Sequence, residues 1–281
     1  MKVKLSHRFF YFLLLVILNG SLSLFAQQID TIDIYSSKMN VRVKNIVILP
    51  DGYNKESKTE YPVIYLLHGY GGNHLSWLKV VKPTLPQLAN KYQFIIVCPD
   101  GKNSWYWDSP VNPKSQYDTY VSQELVTYID KHYKTINLPK GRAISGFSMG
   151  GHGALWLTLQ HPDVFGVCGS MSGGVDIRPF PNNWEMSKVL GSYVNNKSVW
   201  DAHTVITNVD KLKNIPLILD CGEDDFFLEV NENLHKLLLA KKINHTYIIT
   251  SGEHNSQYWN KAVEWQLAFF VKFFFPENKN G

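Results

Sequence analysis

Cysteine is scarce in this chain: three residues, Cys98, Cys168 and Cys221, are spread over 281 positions, each inside an apolar run. Spacing that wide excludes a disulfide framework and a zinc site, and leaves small buried hydrophobes as the expectation. Clusters of basic residues and aromatic-basic stripes are also lacking, which excludes the electrostatic footprint of a nucleic-acid-binding protein. There is no internal repeat and no low-complexity tract. An apolar stretch from Phe9 to Leu18 is too short to span a bilayer comfortably. It follows Lys2, Lys4 and Arg8 and precedes the small residue Ala26, which is the pattern of a signal peptide. Residues 1–26 are therefore expected to be cleaved, with release into a periplasm or the medium and no stable membrane insertion afterwards. Three basic and no acidic side chains leave with them, so 25 basic residues face 24 acidic ones in the mature chain.

What is present is a series of short apolar runs that end in glycine or polar residues. They are PVIYLLHG (62–69), FIIVCPDG (94–101), RAISGFS (142–148), FGVCGSMSG (165–173), PLILDCGE (216–223) and HTYIITSG (245–252). Nearly all are continuous rather than alternating, as strands buried on both faces require, and helix-length segments such as TYVSQELVTYIDKHY separate them. Two earlier segments, IDTIDIYSS and NVRVKNIVILPDGY, alternate in part and suggest antiparallel strands. The expected fold is α/β, a mostly parallel central sheet with helices on both faces, formed as one domain over residues 27–281. Sites in such sheets form beyond the carboxyl ends of the strands.

At one of those ends Gly146-Phe147-Ser148-Met149-Gly150 fits the pattern GxSxG between the strand RAISGF and the helical pattern MGGHGALWLTLQ. That context makes Ser148 a candidate nucleophile on a strained strand-to-helix turn. A serine hydroxyl needs a base, and the base needs an orienting acid. Of ten histidines only His235, His245 and His254 follow both the serine and PLILDCGE. His235 lies in a helical pattern and His245 at the entry to the last strand, so His254, just past that strand's exit, is the candidate base. The segment DCGEDDFF offers the acid; Asp220 is inside the strand, and spacing does not separate Asp224 from Asp225. Acyl transfer also needs oxyanion donors: the amide of Met149, after the nucleophile, and a second amide from the glycine-rich loop LLHGYGG. His68 in that loop has no partner at metal-ligand spacing and is expected to be structural.

VILPDGY, YPVIYLLHGYGG, NSWYWDSP, GFSMGGHGAL, HPDVFGVCGSMSG, CGEDDFF and GEHNSQYW together resemble the esterase D-like branch of the α/β-hydrolases from about Val41 to Phe275. That branch includes S-formylglutathione hydrolases, feruloyl and acetyl xylan esterases, siderophore esterases and the antigen 85 mycolyltransferases. The resemblance implies the α/β-hydrolase fold, Asp225 as the acid, His254 as the base, the Tyr70 amide as the second oxyanion donor, and no cofactor or metal. The loop His-Gly-Tyr-Gly-Gly is similar to that of secreted carbohydrate esterases; S-formylglutathione hydrolases usually carry a Ser-Gly-Leu-Thr-Cys type of segment.

These features imply an exported serine carboxylic ester hydrolase acting on a small-molecule or oligosaccharide ester, with feruloyl or acetyl esters of plant polysaccharide fragments as the expected substrates. Trp105 and Trp107, in a loop after a strand, and Trp259, soon after His254, are the candidate substrate-binding residues, since aromatic faces suit sugar rings or a phenolic acyl group. An acyltransferase or a siderophore esterase would use the same triad. A non-catalytic glycan-binding protein would have no need of a base and an acid in hydrolase order.

Overall fold

The computed structural model describes residues 28–276. The expected signal peptide, 1–26, lies outside them. Eight strands form one sheet in the order β1-β2-β4-β3-β5-β6-β7-β8. Strands β1 (Ile29–Ser36) and β2 (Val41–Ile48) pair antiparallel, and β2 also runs antiparallel to β4 (Ile95–Pro99). The other neighbours are parallel: β3 (Val63–Leu67), β5 (Arg142–Gly146), β6 (Val167–Met171), β7 (Leu217–Gly222) and β8 (Thr246–Thr250).

Successive strand residues point to opposite faces, and in the central strands both faces are covered. Val63, Tyr65 and Leu67 enter one apolar core, Ile64 and Leu66 the other; Ile95 and Val97 are separated from Ile96 and Cys98 in the same way. This double burial is why the apolar runs are continuous. Each such side chain contributes about 1.5–3 kcal/mol relative to exposure. Strand β8, at the sheet edge, is only half-buried. The three cysteines are free and buried.

Two helices fix the site. Met149–Gln160 is buried along almost its whole length, which explains a sequence that is apolar all round. Ser256–Phe274 packs on the opposite face, its N-terminus capped by the Asn255 side chain, which accepts the Tyr258 N–H at 3.0 Å. From β3 the chain crosses outward to β4 and returns to β5 on the other side of β3, so the sheet changes winding direction between β3 and β5. The crevice expected at such a reversal lies between the loops that follow those two strands.

Candidate active site

Ser148 occupies that reversal point, with φ +57° and ψ −121°, a conformation disfavoured for a residue with a side chain. The turn is held by the Ser148 N–H donating to Met171 O at 2.9 Å and by the His152 N–H donating to Ser148 O at 3.1 Å. Gly150 has to be glycine, because a Cβ there would stand 2.4 Å from Leu67 O. The tight helix-to-strand approach thus pushes the serine hydroxyl outward.

The His254 Nε2 lies 2.8 Å from Ser148 Oγ, and His254 Nδ1 lies 2.9 Å from both carboxylate oxygens of Asp225. A carboxylate only accepts, so Nδ1 carries the proton and Nε2 is free to accept from the serine hydroxyl. Asp225 is buried and also accepts the Phe227 N–H at 2.8 Å. Asp224 points elsewhere: it is exposed, and its own N–H donates to Gly252 O at 2.9 Å. Geometry thus separates two adjacent carboxylates that spacing left open.

The loop after β3 closes the other side. A Cβ on Gly69 would lie 3.2 Å from Ser148 Cβ, so this backbone is in contact with the serine. Among the described residues neither the Tyr70 nor the Met149 N–H has a hydrogen-bond acceptor. His68 fixes the loop: its Nδ1–H donates to Gly69 O at 2.7 Å, and its Nε2 accepts the Gly101 N–H at 2.8 Å. The Tyr106 hydroxyl donates to His68 O at 3.1 Å, and Asn103 Oδ1 accepts the Gly71 N–H at 2.9 Å. His68 holds the loop through these bonds, as its isolation from any metal-ligand partner suggests.

The three candidate tryptophans divide. Trp107 is 0% exposed and Trp105 1%, and the two rings stack with centroids 5.5 Å apart. The expectation that they line a substrate surface is corrected: both are core residues. Trp107 Nε1–H donates to His152 Nε2 at 2.9 Å, and His152 Nδ1–H donates to Gly174 O at 2.9 Å. Burial pushes the His152 imidazole down to about 3, so it is neutral and serves as a fixed acceptor and donor behind the nucleophile turn. Trp259 does reach the site, its ring edge-on to His254 at 5.0 Å and stacked on Phe147 at 4.3 Å.

Sequence reasoning missed Phe226 beside His254. Phe226, 53% exposed, lies 4.1 Å from the His254 ring and stacks with Trp184 at 5.8 Å. Its position next to Asp225 was the available signal, since a residue adjoining the acid cannot be far from the base. Trp184 comes from the segment between β6 and β7, which contains the helices Met186–Leu190 and Lys197–Ala202.

A serine, a histidine and a carboxylate in line, beside two unused amides, form an arrangement suited to acyl transfer. The Esterase family model matches residues 36–272. The chain belongs to the Esterase family. As a member it is a carboxylic ester hydrolase with the α/β-hydrolase fold. An acetyl esterase of Caldicellulosiruptor saccharolyticus is 27% identical over 258 residues, covering 83% of this chain and 96% of the relative. A solved ferulic acid esterase is 28% identical, with a TM-score of 0.76 over 89% of this chain and 100% of that one. An S-formylglutathione hydrolase of Staphylococcus aureus has the same fold at 21% identity, with a TM-score of 0.77 over 88% of this chain and 99% of that one. Among this esterase's described residues no helix is long and apolar enough to cross a membrane.

Proposed function

We propose that the protein is an exported serine esterase that removes acyl groups from carbohydrate esters, with feruloyl or acetyl esters of plant polysaccharide fragments as its substrates. Ser148 attacks the ester carbonyl while His254 Nε2 takes the hydroxyl proton, and Asp225 keeps the imidazole oriented and stabilises its positive charge. The tetrahedral oxyanion forms against the Tyr70 and Met149 amides, each such donor contributing about 3–4 kcal/mol to the transition state. His254 then protonates the leaving alcohol. Water, deprotonated by the same imidazole, hydrolyses the acyl-enzyme and releases the acid and Ser148. No cofactor enters these steps.

The observation that carries the reading is the unbroken line from Ser148 Oγ through His254 to Asp225. The acyl group is inferred from the Phe226 and Trp259 rings against His254, and from the similarity to an acetyl esterase and a ferulic acid esterase. Acid release from feruloylated and acetylated xylan fragments, with Ser148→Ala as the blank, tests it. Ferulate or acetate released by the native protein and lost in the variant supports the proposal. An enzyme that cleaves a simple activated ester but neither fragment overturns the polysaccharide part.

A further inference from the structure

Beside the loop that carries the Tyr70 amide lies a second cavity of about 230 Å³, outside the Ser148–His254–Asp225 line. Two residues of its wall connect it to that line. Asn103 is in its wall, and the same side chain accepts the Gly71 N–H at 2.9 Å, one residue from Tyr70. Glu185 is in its wall as well, and follows Trp184, which stacks with Phe226 beside His254. Trp184 and Glu185 both have positive φ, +47° and +54°, so this pair bridges cleft and cavity in a tight left-handed bend.

The lining is unlike the aromatic wall around His254. Asn103, Asn112, Lys114, Glu185 and Lys188 bring donors and acceptors to the same wall as Tyr117. Tyr117 is 5% exposed as a residue, and its phenol oxygen reaches solvent at the cavity wall, where it can meet a ligand. A ligand hydroxyl that reaches this phenol can exchange a hydrogen bond with it in place of water. Lys188 is ion-paired to Glu185, and Lys102 pairs with Asp100 at 2.8 Å, so most of the local charge is neutralised within the wall.

Resting on the carbohydrate-ester reading above, we infer that this cavity is a subsite for one sugar ring of the alcohol portion of the substrate. Sugar hydroxyls both donate and accept, which matches amides, a carboxylate, an ammonium and a free phenol better than an acyl chain would. Its volume gives room for one pyranose ring next to the scissile ester.

The test compares kcat/KM for one acyl group carried on methanol and on a xylo- or arabino-oligosaccharide, in the native enzyme, Tyr117→Phe and Lys114→Ala. The expected result is a native preference for the sugar ester that falls about threefold to tenfold in each variant, through KM. Tyr117→Phe removes one oxygen and no packing, and Lys114 is exposed, so both variants should fold. A native preference unchanged in both variants overturns the subsite and leaves the carbohydrate-ester reading standing. Absence of any native preference overturns that reading and the subsite with it.

Discussion

Two aromatic-rich loops leave the same edge of the sheet and end in opposite environments. After β4, Trp105, Tyr106 and Trp107 turn inward: the Tyr106 hydroxyl holds His68, and Trp107 holds His152 behind the nucleophile turn. After β7, Phe226 turns outward against His254 while Asp225, its neighbour, turns in. The first loop braces the backbone that carries Tyr70 and Ser148, and the second sets Asp225 and Phe226 against His254. Position at the active edge therefore does not by itself make an aromatic residue a substrate contact; what covers it decides.

The contrast is sharpest in the contribution of each loop. Asp225→Asn should lower kcat by about 10⁴, because an amide can turn the imidazole to the wrong tautomer, with little change in the melting transition. Steady-state kinetics and calorimetry on the same sample check both halves, and a large melting shift with retained kcat would reverse the assignment. Trp107→Ala should do the opposite, costing about 3–5 kcal/mol of stability through the cavity it leaves, as read by denaturant unfolding.

Strand β7 carries one carboxyl of its own, Asp220, in an environment unlike that of Asp225 beyond the strand's end. Asp220, fully buried, accepts Gln266 Nε2–H at 2.6 Å and has its other oxygen unpaired, and burial pushes its carboxyl up to about 7. A carboxyl raised in the folded state keeps its proton after the unfolded chain has lost it. Its contribution to stability therefore falls as pH rises from about 4 to 7 and stays low above that. Asp220→Asn should remove this loss, so the gain in stability over the native protein is larger at pH 8, by a few kcal/mol, than at pH 4. Equal differences at the two pH values would contradict it.

Phe226→Ala should raise KM for a feruloyl ester about tenfold and change acetyl-ester hydrolysis much less, since only a flat acyl group can use the ring face. A matched loss on both esters would return Phe226 to a purely structural role. At the small end, Asp224→Asn should alter neither rate nor stability beyond about 0.5 kcal/mol, the usual range for an exposed side chain.

Much of this was legible in the sequence because the constraints were local. Burial on both sheet faces wrote itself as continuous apolar runs, and the crowded serine turn as glycines on both sides of Ser148. His254 could be chosen because only one histidine follows the exit of the last strand. Asp225 could not be separated from Asp224 by spacing, since one residue along a turn rotates the side chain from the base to solvent. Trp105 and Trp107 were misplaced for a longer-range reason: His152, from the nucleophile helix, packs edge-on against both rings, and Trp184, from the β6–β7 segment, lies against Trp105. No local pattern reports which distant element closes over a loop.

The central claim is that Ser148 carries the acyl group with His254 as its base. Brief exposure to p-nitrophenyl acetate, an acid quench and peptide mass mapping test it directly. The expected result is one acetyl group on the peptide containing Ser148, absent in Ser148→Ala and strongly reduced in His254→Ala. Stoichiometric acylation at another residue, or undiminished turnover by Ser148→Ala, would contradict it.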